Sequence, residues 1–252
     1  MKTRKPFPAA IRWSVVNLGL VAASYAGYVA FTWRRYGHPK PSPFSVGRDS
    51  LLDRLIPKYD VVERQAIRVA APAEVTFAAA CDVNLQDSAI IRAIFKGREL
   101  LLRSRKDNMP RPLSLAAQAI SWGWCVLAEV PGCEIVFGAV TQPWLANPVF
   151  RALPPEDFAA FREPRYVKIA WTLRAYRIGE SRSVAFTETR VATTDLVARE
   201  KFRRYWTFLS PGIIVIRKIG LRLTKREAER RVRETCCAER ICGRTYDHHR
   251  AN

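Results

Sequence analysis

Two residues of opposite charge lie within an alternating, mostly apolar segment in the C-terminal half of the chain. Glu188 and Arg190 are two positions apart, so on a regular strand they share one side, and Phe186 shares it with them. A carboxylate or guanidinium on an apolar face is tolerated when it is paired or when it binds a ligand head group. Three interpretations stay open: a polar contact in a pocket, a structural ion pair, or exposure to solvent beside a strand bulge.

Large aromatic residues are the second group with a chemical use. Aromatic side chains bury a large area, and they either fill a core or line an apolar cavity. A cavity is favoured if several of them cannot reach one another. The candidate ligand-binding residues, besides Glu188 and Arg190, are Trp122, Trp124, Phe137, Trp144, Trp171, Phe186, Tyr205, Trp206 and Phe208.

The residues needed for common catalytic mechanisms are sparse. The three histidines, His38, His248 and His249, lie outside the predicted domain core, so a serine or cysteine nucleophile has no histidine base there. We find no glycine-rich phosphate loop and no HExxH motif. We therefore assign no catalytic residue, cofactor or metal ligand. An enzyme on this scaffold would have to use Glu129, Glu188, Asp82 or a tyrosine as acid or base.

A long predicted hairpin positions the candidate residues. From Tyr166 to Tyr176 polar and apolar residues alternate, Gly179 to Ser181 has turn chemistry, and Ser183 to Thr193 alternates again. This predicts two antiparallel arms of about ten residues each. The apolar face must be covered, and the candidate cover is a long helix from Asp195, expected to kink or divide at Ser210-Pro211-Gly212. One side of that helix would carry Ile213, Ile216, Gly220 and Leu223.

The preceding elements predict an α+β domain. Their order is strand, helix, one or two further helices and a second hairpin around Pro131-Gly132. The expected segments are a strand over 60–70, a helix after Pro72, helices after Asn84, strands within 122–140, an edge strand in 142–151 and a short acidic helix over 154–161.

Two segments carry a family resemblance: YDVVERQAIRVAAPAEVTFAA (59–79) and KIAWTLRAYRIGESRSVAFTETRVATTDLVARE (168–200). With this element order the chain resembles the START-related helix-grip superfamily, SRPBCC, which includes polyketide cyclases and lipid-transfer domains. GRELLLRS and FRRYW resemble bacterial members of unassigned activity. The resemblance covers about 51–233. It implies an antiparallel sheet wrapped around a long C-terminal helix, with an apolar cavity between them, and it identifies no ligand.

The N-terminal region predicts a membrane anchor. The segment from Trp13 to Trp33 has no charged residue, is flanked by Arg12 and Arg34, and as a helix would span roughly 31 Å, close to a bilayer core. A cleaved signal peptide competes with this interpretation, but the apolar run is long for one. We expect a basic N-terminus (1–12), a transmembrane helix (13–33) and a proline-rich linker (34–50).

The anchor suggests two further expectations. Gly19, Ala23 and Gly27 recur every fourth residue, a spacing that permits close pairing of two helices and a homodimer. Basic residues flank the span on both sides, so the positive-inside rule gives no orientation. The basic, thiol-bearing remainder weakly favours a cytoplasmic domain on a single-pass membrane protein.

The charge of the chain suggests an anionic partner. The formal net charge is +19, and the final helix carries twelve basic against three acidic residues over 199–233. One interpretation of this basic helix is attraction to an anionic membrane surface. The alternative is that the charges simply form a solvated helix face. No nucleic-acid motif accompanies the charge, so no nucleic-acid partner is predicted.

The six cysteines are scattered and predict reduced thiols. Cys236, Cys237 and Cys242, with the two tail histidines, do not match a zinc ribbon or finger spacing, so 234–252 is predicted to be a disordered tail.

These patterns together predict a membrane-anchored protein that binds a hydrophobic or amphipathic small molecule, lipid or isoprenoid-like, between sheet and C-terminal helix. The alternatives are a cyclase or dehydratase-type enzyme on the same scaffold, and a membrane-tethered interaction module with a filled core.

Overall fold

Five antiparallel strands form one sheet in the order β1-β5-β4-β3-β2. The computed structural model describes residues 9–38, 50–102 and 114–248. The elements are α1 (Ala9–Arg35), α2 (Ser50–Leu55), β1 (Val61–Val69), α3 (Ala73–Asp82), a 3-10 turn (Leu85–Asp87), α4 (Ala89–Leu102), α5 (Leu115–Ser121), β2 (Cys125–Val130), β3 (Glu134–Thr141), α6 (Pro155–Ala160), β4 (Val167–Gly179), β5 (Arg182–Thr193) and α7 (Leu196–His248).

The predicted hairpin is present as β4 and β5, and its apolar side faces helices. Val167, Ile169 and Leu173 alternate along β4 and enter hydrophobic clusters with α3 and α7. Helix α7 begins where the sequence indicates, because the Asp195 carboxylate accepts a hydrogen bond from the backbone N–H of Ala198 at 2.6 Å. It continues as one helix through Pro211 to His248, so it is not divided at Ser210-Pro211-Gly212.

The opposite face of the sheet is also covered, by α2 and α6. Leu52 and Ile56 of α2, Phe158 of α6, and Val136 and Val140 of β3 form one buried cluster there. Because apolar residues of β3 face both layers, this strand is buried along its whole length. The sheet is therefore the middle layer of the fold.

The layered arrangement fits the helix-grip architecture that the sequence predicts. An antiparallel sheet packs against a long C-terminal helix, and α3 lies beside that helix on the same face. One expected element differs: in place of an edge strand over 142–151, the structure has a single bridge between Val140 and Arg151. That segment contains Pro143 and Pro148, which cannot donate to a strand ladder.

The predicted transmembrane helix requires correction, and with it the prediction of a single-pass membrane protein. Among the described residues, the structure contains no helix with the length and apolar character needed to cross a bilayer. The segment lacks charge, but it includes Asn17, Ser24, Tyr25 and Tyr28, and an uncharged segment is not necessarily apolar.

The C-terminal half of α1 instead packs on α7. The Tyr25 hydroxyl donates to the Phe208 carbonyl at 2.8 Å, and the Tyr28 and Ser210 hydroxyls are hydrogen-bonded at 2.8 Å. Arg203 of α7 donates to the Trp33 carbonyl and stacks 4.0 Å from the centre of its ring. These polar contacts hold the two helices together.

Other predicted segments fall partly outside the description. Residues 1–8 of the basic N-terminus and 39–49 of the linker lie outside the described residues. The tail predicted from 234 onward continues α7 to His248, where ion pairs such as Arg230–Glu234 support the helix. Residues 249–252 lie outside the described residues.

Lys168 generates a prediction about pH. Its ammonium group is buried on the α6 side of β4, donates to the Ala159 carbonyl at 2.8 Å and lies 5.1 Å from the centre of the Phe158 ring. Burial lowers the pKa of Lys168 from 10.5 to about 8, with a smaller contribution from Arg162. The folded state therefore carries a destabilising charge below pH 8.

Between pH 8 and 10.5 the unfolded chain keeps this proton and the folded chain loses it, so the lysine makes stability rise with pH. We expect Lys168→Met to remove a rise of about 3 kcal/mol over that window, measured as the difference between wild-type and variant urea unfolding curves. Identical pH dependence in both proteins would contradict the assignment.

Candidate functional site

A cavity of about 270 Å³ lies between the sheet and α7. Trp124, Trp171, Leu173 and Thr187 line it from the sheet, and Phe95 lines it from α4. The remaining lining residues come mainly from α5 and α7: Leu85, Leu115, Ala119, Trp122, Ile213, Ile216, Arg217, Gly220, Leu221 and Thr224. We call this the inner chamber.

A larger hollow of about 640 Å³ adjoins the inner chamber. We call it the outer chamber. It lies between α4, the segment after β3 and the first half of α7, and its lining includes Arg98, Phe150, Tyr205, Phe208 and Gly212. The two chambers share the walls formed by Phe95, Trp122, Trp124, Ile213 and Ile216.

The aromatic residues form a continuous wall because each ring packs against the next one. Trp171 stacks on Phe137 with ring centres 4.5 Å apart and meets Trp124 edge-on at 5.9 Å. Trp124 in turn stacks on Phe150 at 5.1 Å. These contacts hold the rings against the sheet and away from α7.

Glycine on α7 contributes to the same separation. Gly220 lines the inner chamber, and a Cβ atom there would lie 3.3 Å from a methyl group of Leu85. The absence of a side chain at Gly220 therefore lets Leu85 pack closely on the helix at the chamber wall.

Arg217 is the charged residue of the inner chamber. Its guanidinium makes one long contact, 3.5 Å from its Nη1 to the Thr187 hydroxyl. Burial lowers the pKa of Arg217 to about 10, and the carboxylate of Glu63 opposes that change. At neutral pH a full positive charge therefore faces a largely apolar space.

Five of the aromatic candidates lie at the chambers. Trp122, Trp124 and Trp171 line the inner one, and Trp122, Trp124 and Tyr205 line the outer one. Burial raises the pKa of the Tyr205 hydroxyl, and nearby Arg98 opposes the rise. Phe208 also lines the outer chamber and is half exposed.

The other aromatic candidates lie elsewhere. Phe137 is fully buried behind Trp171. Trp206 belongs to a separate cluster with Phe202 and Val191 near the start of α7, and Trp144 packs at its edge. Phe186 lies on the opposite face of the sheet, against Tyr176. The structure does not bring these four residues to the chamber walls.

Glu188 and Arg190 form a buried ionic cluster on that opposite face. The Glu188 carboxylate accepts hydrogen bonds at 2.7 Å from both Arg64 and Arg190. Arg190 also donates to Asp53 of α2 at 2.6 Å and lies 4.8 Å from the centre of the Tyr59 ring. The arrangement favours the ion-pair interpretation over the pocket one.

A shift in strand register explains this placement. Gly179 pairs with Arg182, but the next pair is Arg177 with Ser183, so Ile178 has no partner in the ladder. Without that shift, Glu188 would lie opposite Leu173 and face the inner chamber. With it, Thr187 lies opposite Leu173 and Glu188 faces α2.

The sequence interpretation missed the polar residues of the inner chamber. Arg217 was counted among the surface charges of the final helix. Helical spacing offered a signal, because Arg217 lies four residues after Ile213 and three before Gly220, within the stripe assigned to the buried side. Thr187 was missed because its face depends on the bulge.

Much of the charge on the rest of α7 is balanced locally. Arg230 pairs with Glu227 and Glu234, and Arg231 pairs with Glu227 and with Asp82 of α3. Exposed residues such as Arg222 and Arg226 remain on the surface. The anionic surface partner and the homodimer through Gly19, Ala23 and Gly27 stay predictions.

No cluster of three or more potential metal ligands occurs within 9–38, 50–102 and 114–248. Cys81, Cys125 and Cys133 are free thiols. Burial raises the pKa of the Cys81 thiol to about 11, so it is protonated at neutral pH.

No protein family model matches the chain, and no curated protein matches it. Among solved structures it is similar to a hypothetical protein from Helicobacter pylori, with 5% identity, a TM-score of 0.35 and coverage of 75% of this chain and 99% of that chain. It is also similar to the Zhui aromatase/cyclase from Streptomyces sp. R1128, with 14% identity, a TM-score of 0.23 and coverage of 68% and 95%. Both TM-scores are low, so the fold description rests on strand order and layering.

The ionic cluster generates a prediction about stability. Glu188→Gln removes the carboxylate that holds both Arg64 and Arg190, whose side chains are 13% and 4% exposed. We expect a loss of about 3 kcal/mol in the free energy of unfolding, measured by urea denaturation, because Arg64 loses its carboxylate partner and Arg190 keeps only Asp53.

Glu163→Gln is the matched control. Glu163 pairs with Arg151, but both side chains are well exposed, at 54% and 40%. This variant should lose little stability, because water screens an exposed ion pair. Equal losses in the two variants would show that burial of the Glu188 cluster is not what stabilises it.

Proposed function

We propose that this protein binds an apolar or amphipathic small molecule in the two chambers between its sheet and α7. The observation that carries the proposal is the inner chamber itself, an apolar hollow of about 270 Å³ at the centre of the helix–sheet interface. Close-packed interiors contain few voids larger than a water molecule, so a hollow of this size needs an explanation.

The composition of the walls supports a ligand-binding role. Small-molecule sites are concave and mainly apolar, with a few placed polar groups. Here three tryptophans and several aliphatic side chains supply the apolar surface, and Arg217, Thr187 and Thr224 supply the polar groups. The outer chamber gives the inner one a path toward the surface beside exposed Phe208.

Binding is favoured over cyclase-type catalysis by the ionisable groups present. Among the described residues that line the inner chamber, Arg217 is the one ionisable side chain. An arginine stays protonated and is a poor general acid or base. Glu188, one of the acid or base candidates for an enzyme on this scaffold, lies in the ionic cluster on the other face of the sheet. The inner chamber thus offers apolar surface and a charge, and the ionisable residues Glu99 and Tyr205 line the outer chamber instead.

The proposal is tested by closing the junction of the two chambers. Ile216 lines both of them, so Ile216→Trp should fill the junction. The full chain would be titrated with 1-aminoanthracene, a neutral apolar dye whose fluorescence rises in dry cavities. We expect saturable binding by the wild type and a loss of affinity of about tenfold or more in the variant.

Val215→Trp is the matched control, because Val215 is an adjacent, exposed residue of α7 that lines neither chamber. It should bind the dye as the wild type does. Absence of saturable binding in the wild type, or equal weakening in both variants, would contradict a ligand site in the chambers.

A further inference from the structure

Arg217 differs from the arginines of the sheet in its ion pairing. Arg64 and Arg190 share Glu188, and Arg174 lies 3.4 Å from Glu134. The carboxylate that acts on Arg217 is Glu63 of β1, and no ion pair joins Glu63 and Arg217 within the described part of the chain. The guanidinium therefore has hydrogen-bonding capacity left, since it carries five N–H donors.

Glu63 is engaged by a neighbouring residue. The Gln65 side-chain amide donates to the Glu63 carboxylate at 3.2 Å and to the Ile214 carbonyl at 3.2 Å. Gln65 thereby links β1 to α7 close to Arg217 in sequence and leaves Glu63 on the β1 side of the interface.

Two hydroxyl groups extend the polar end of the inner chamber. Thr187 lies beside Arg217, and Thr224 lines the same chamber two helical turns further along α7. Gly220 lies between Arg217 and Thr224 on the helix, and Leu85 packs against it. The remaining lining is apolar. One end of the chamber therefore has a cation and two hydroxyl groups, and the rest of it is hydrophobic.

A partly buried guanidinium with unused donors matches one ligand chemistry. Its planar donor fork fits a carboxylate, which can accept two parallel hydrogen bonds. A hydroxyl or ester head group would leave the charge without compensation, and an ammonium would be repelled. Hydrogen bonds between ionised groups are also stronger than neutral ones in an apolar setting.

We propose that Arg217 selects the ligand, and that the ligand is an amphipathic monocarboxylate whose carboxylate binds Arg217 beside Thr187 while its apolar body lies along Trp124 and Trp171. This inference rests on the proposed function. It adds the chemical class of the ligand and the residue that recognises it.

The test compares two probes that differ at the head group alone, dodecanoate and 1-dodecanol, as competitors of bound 1-aminoanthracene. The full-length wild type should prefer dodecanoate by about tenfold or more, because a charge-assisted hydrogen bond is gained. Arg217→Met keeps the length of the side chain and removes the charge. It should lose the preference while its affinity for 1-dodecanol stays within about twofold of the wild type.

Arg222→Met is the matched control, since Arg222 is an exposed residue of the same helix. It should keep the wild-type preference. Thermal unfolding supplies a second measurement: dodecanoate should raise the Tm of the wild type more than that of Arg217→Met. If Arg217→Met does not fold, Arg217→Lys replaces it and should show a reduced preference, because lysine lacks the planar fork.

The outcomes separate the two proposals. Equal displacement by both probes in the wild type, or a preference that survives Arg217→Met, overturns the role of Arg217 and leaves a ligand cavity standing. If the dye binds the wild type but neither probe displaces it, the monocarboxylate class is overturned. If the dye itself shows no saturable binding, the proposed function fails, and this inference fails with it.

Discussion

The register between β4 and β5 determines which residues meet in this fold. A strand has two faces, so a shift of one residue exchanges the face of every side chain beyond it. The unpaired Ile178 produces that shift at the start of the hairpin. From there, Thr187 faces α7 while Glu188 and Arg190 face α2. The positions of the ionic cluster and of the inner chamber both follow from this one irregularity.

The two faces of the sheet consequently differ in how their charged groups are paired. On the α2 side, charged groups are matched: Glu188 lies between two arginines, and Arg190 also reaches Asp53 and the Ile56 carbonyl. A buried network is tolerable when its members are satisfied in this way. On the α7 side, Arg217 has one long hydrogen bond, to Thr187, and no ion pair among the described residues. Buried polar atoms without a hydrogen-bond partner among the described residues occur on both faces, such as the Arg174 Nε and the Thr189 Oγ1.

Much of the framework was predictable from patterning alone. Alternation along β4, the turn at Pro131-Gly132 and the capping Asp195 are local signals, and the structure has strands and a helix start where they indicate. The candidate site was less predictable because it depends on register and on tertiary distance. Trp171 and Phe137 are both large aromatics on the same face of the sheet, yet one lines the chamber and the other lies behind it. Periodicity assigns a face to a residue, but it does not reveal which ring lies in front.

The N-terminal helix shows a different limit of sequence interpretation. Lack of charge was used as the measure of membrane character, whereas the hydroxyl groups of Tyr25 and Tyr28 find their partners on α7. Such hydroxyls contribute little to the free energy of placing a helix in a bilayer. They contribute much more to a specific contact between two helices. Helix α1 thereby packs against the same half of α7 that forms the wall of the outer chamber, near Phe208 and Leu209.

Arg217 connects stability to binding in this protein. A partly buried cation beside an apolar hollow, with no ion-pair partner among the described residues, costs free energy in the fold, and an apolar side chain of similar length would avoid that cost. Its position between Ile213 and Gly220, on the side of α7 that faces the inner chamber, places it beside that hollow. A ligand in the hollow could supply the compensation that the protein does not. A carboxylate there would neutralise the charge, satisfy the free donors and let the apolar walls close on the rest of the molecule, so the same residue that weakens the empty fold would give the occupied one its selectivity.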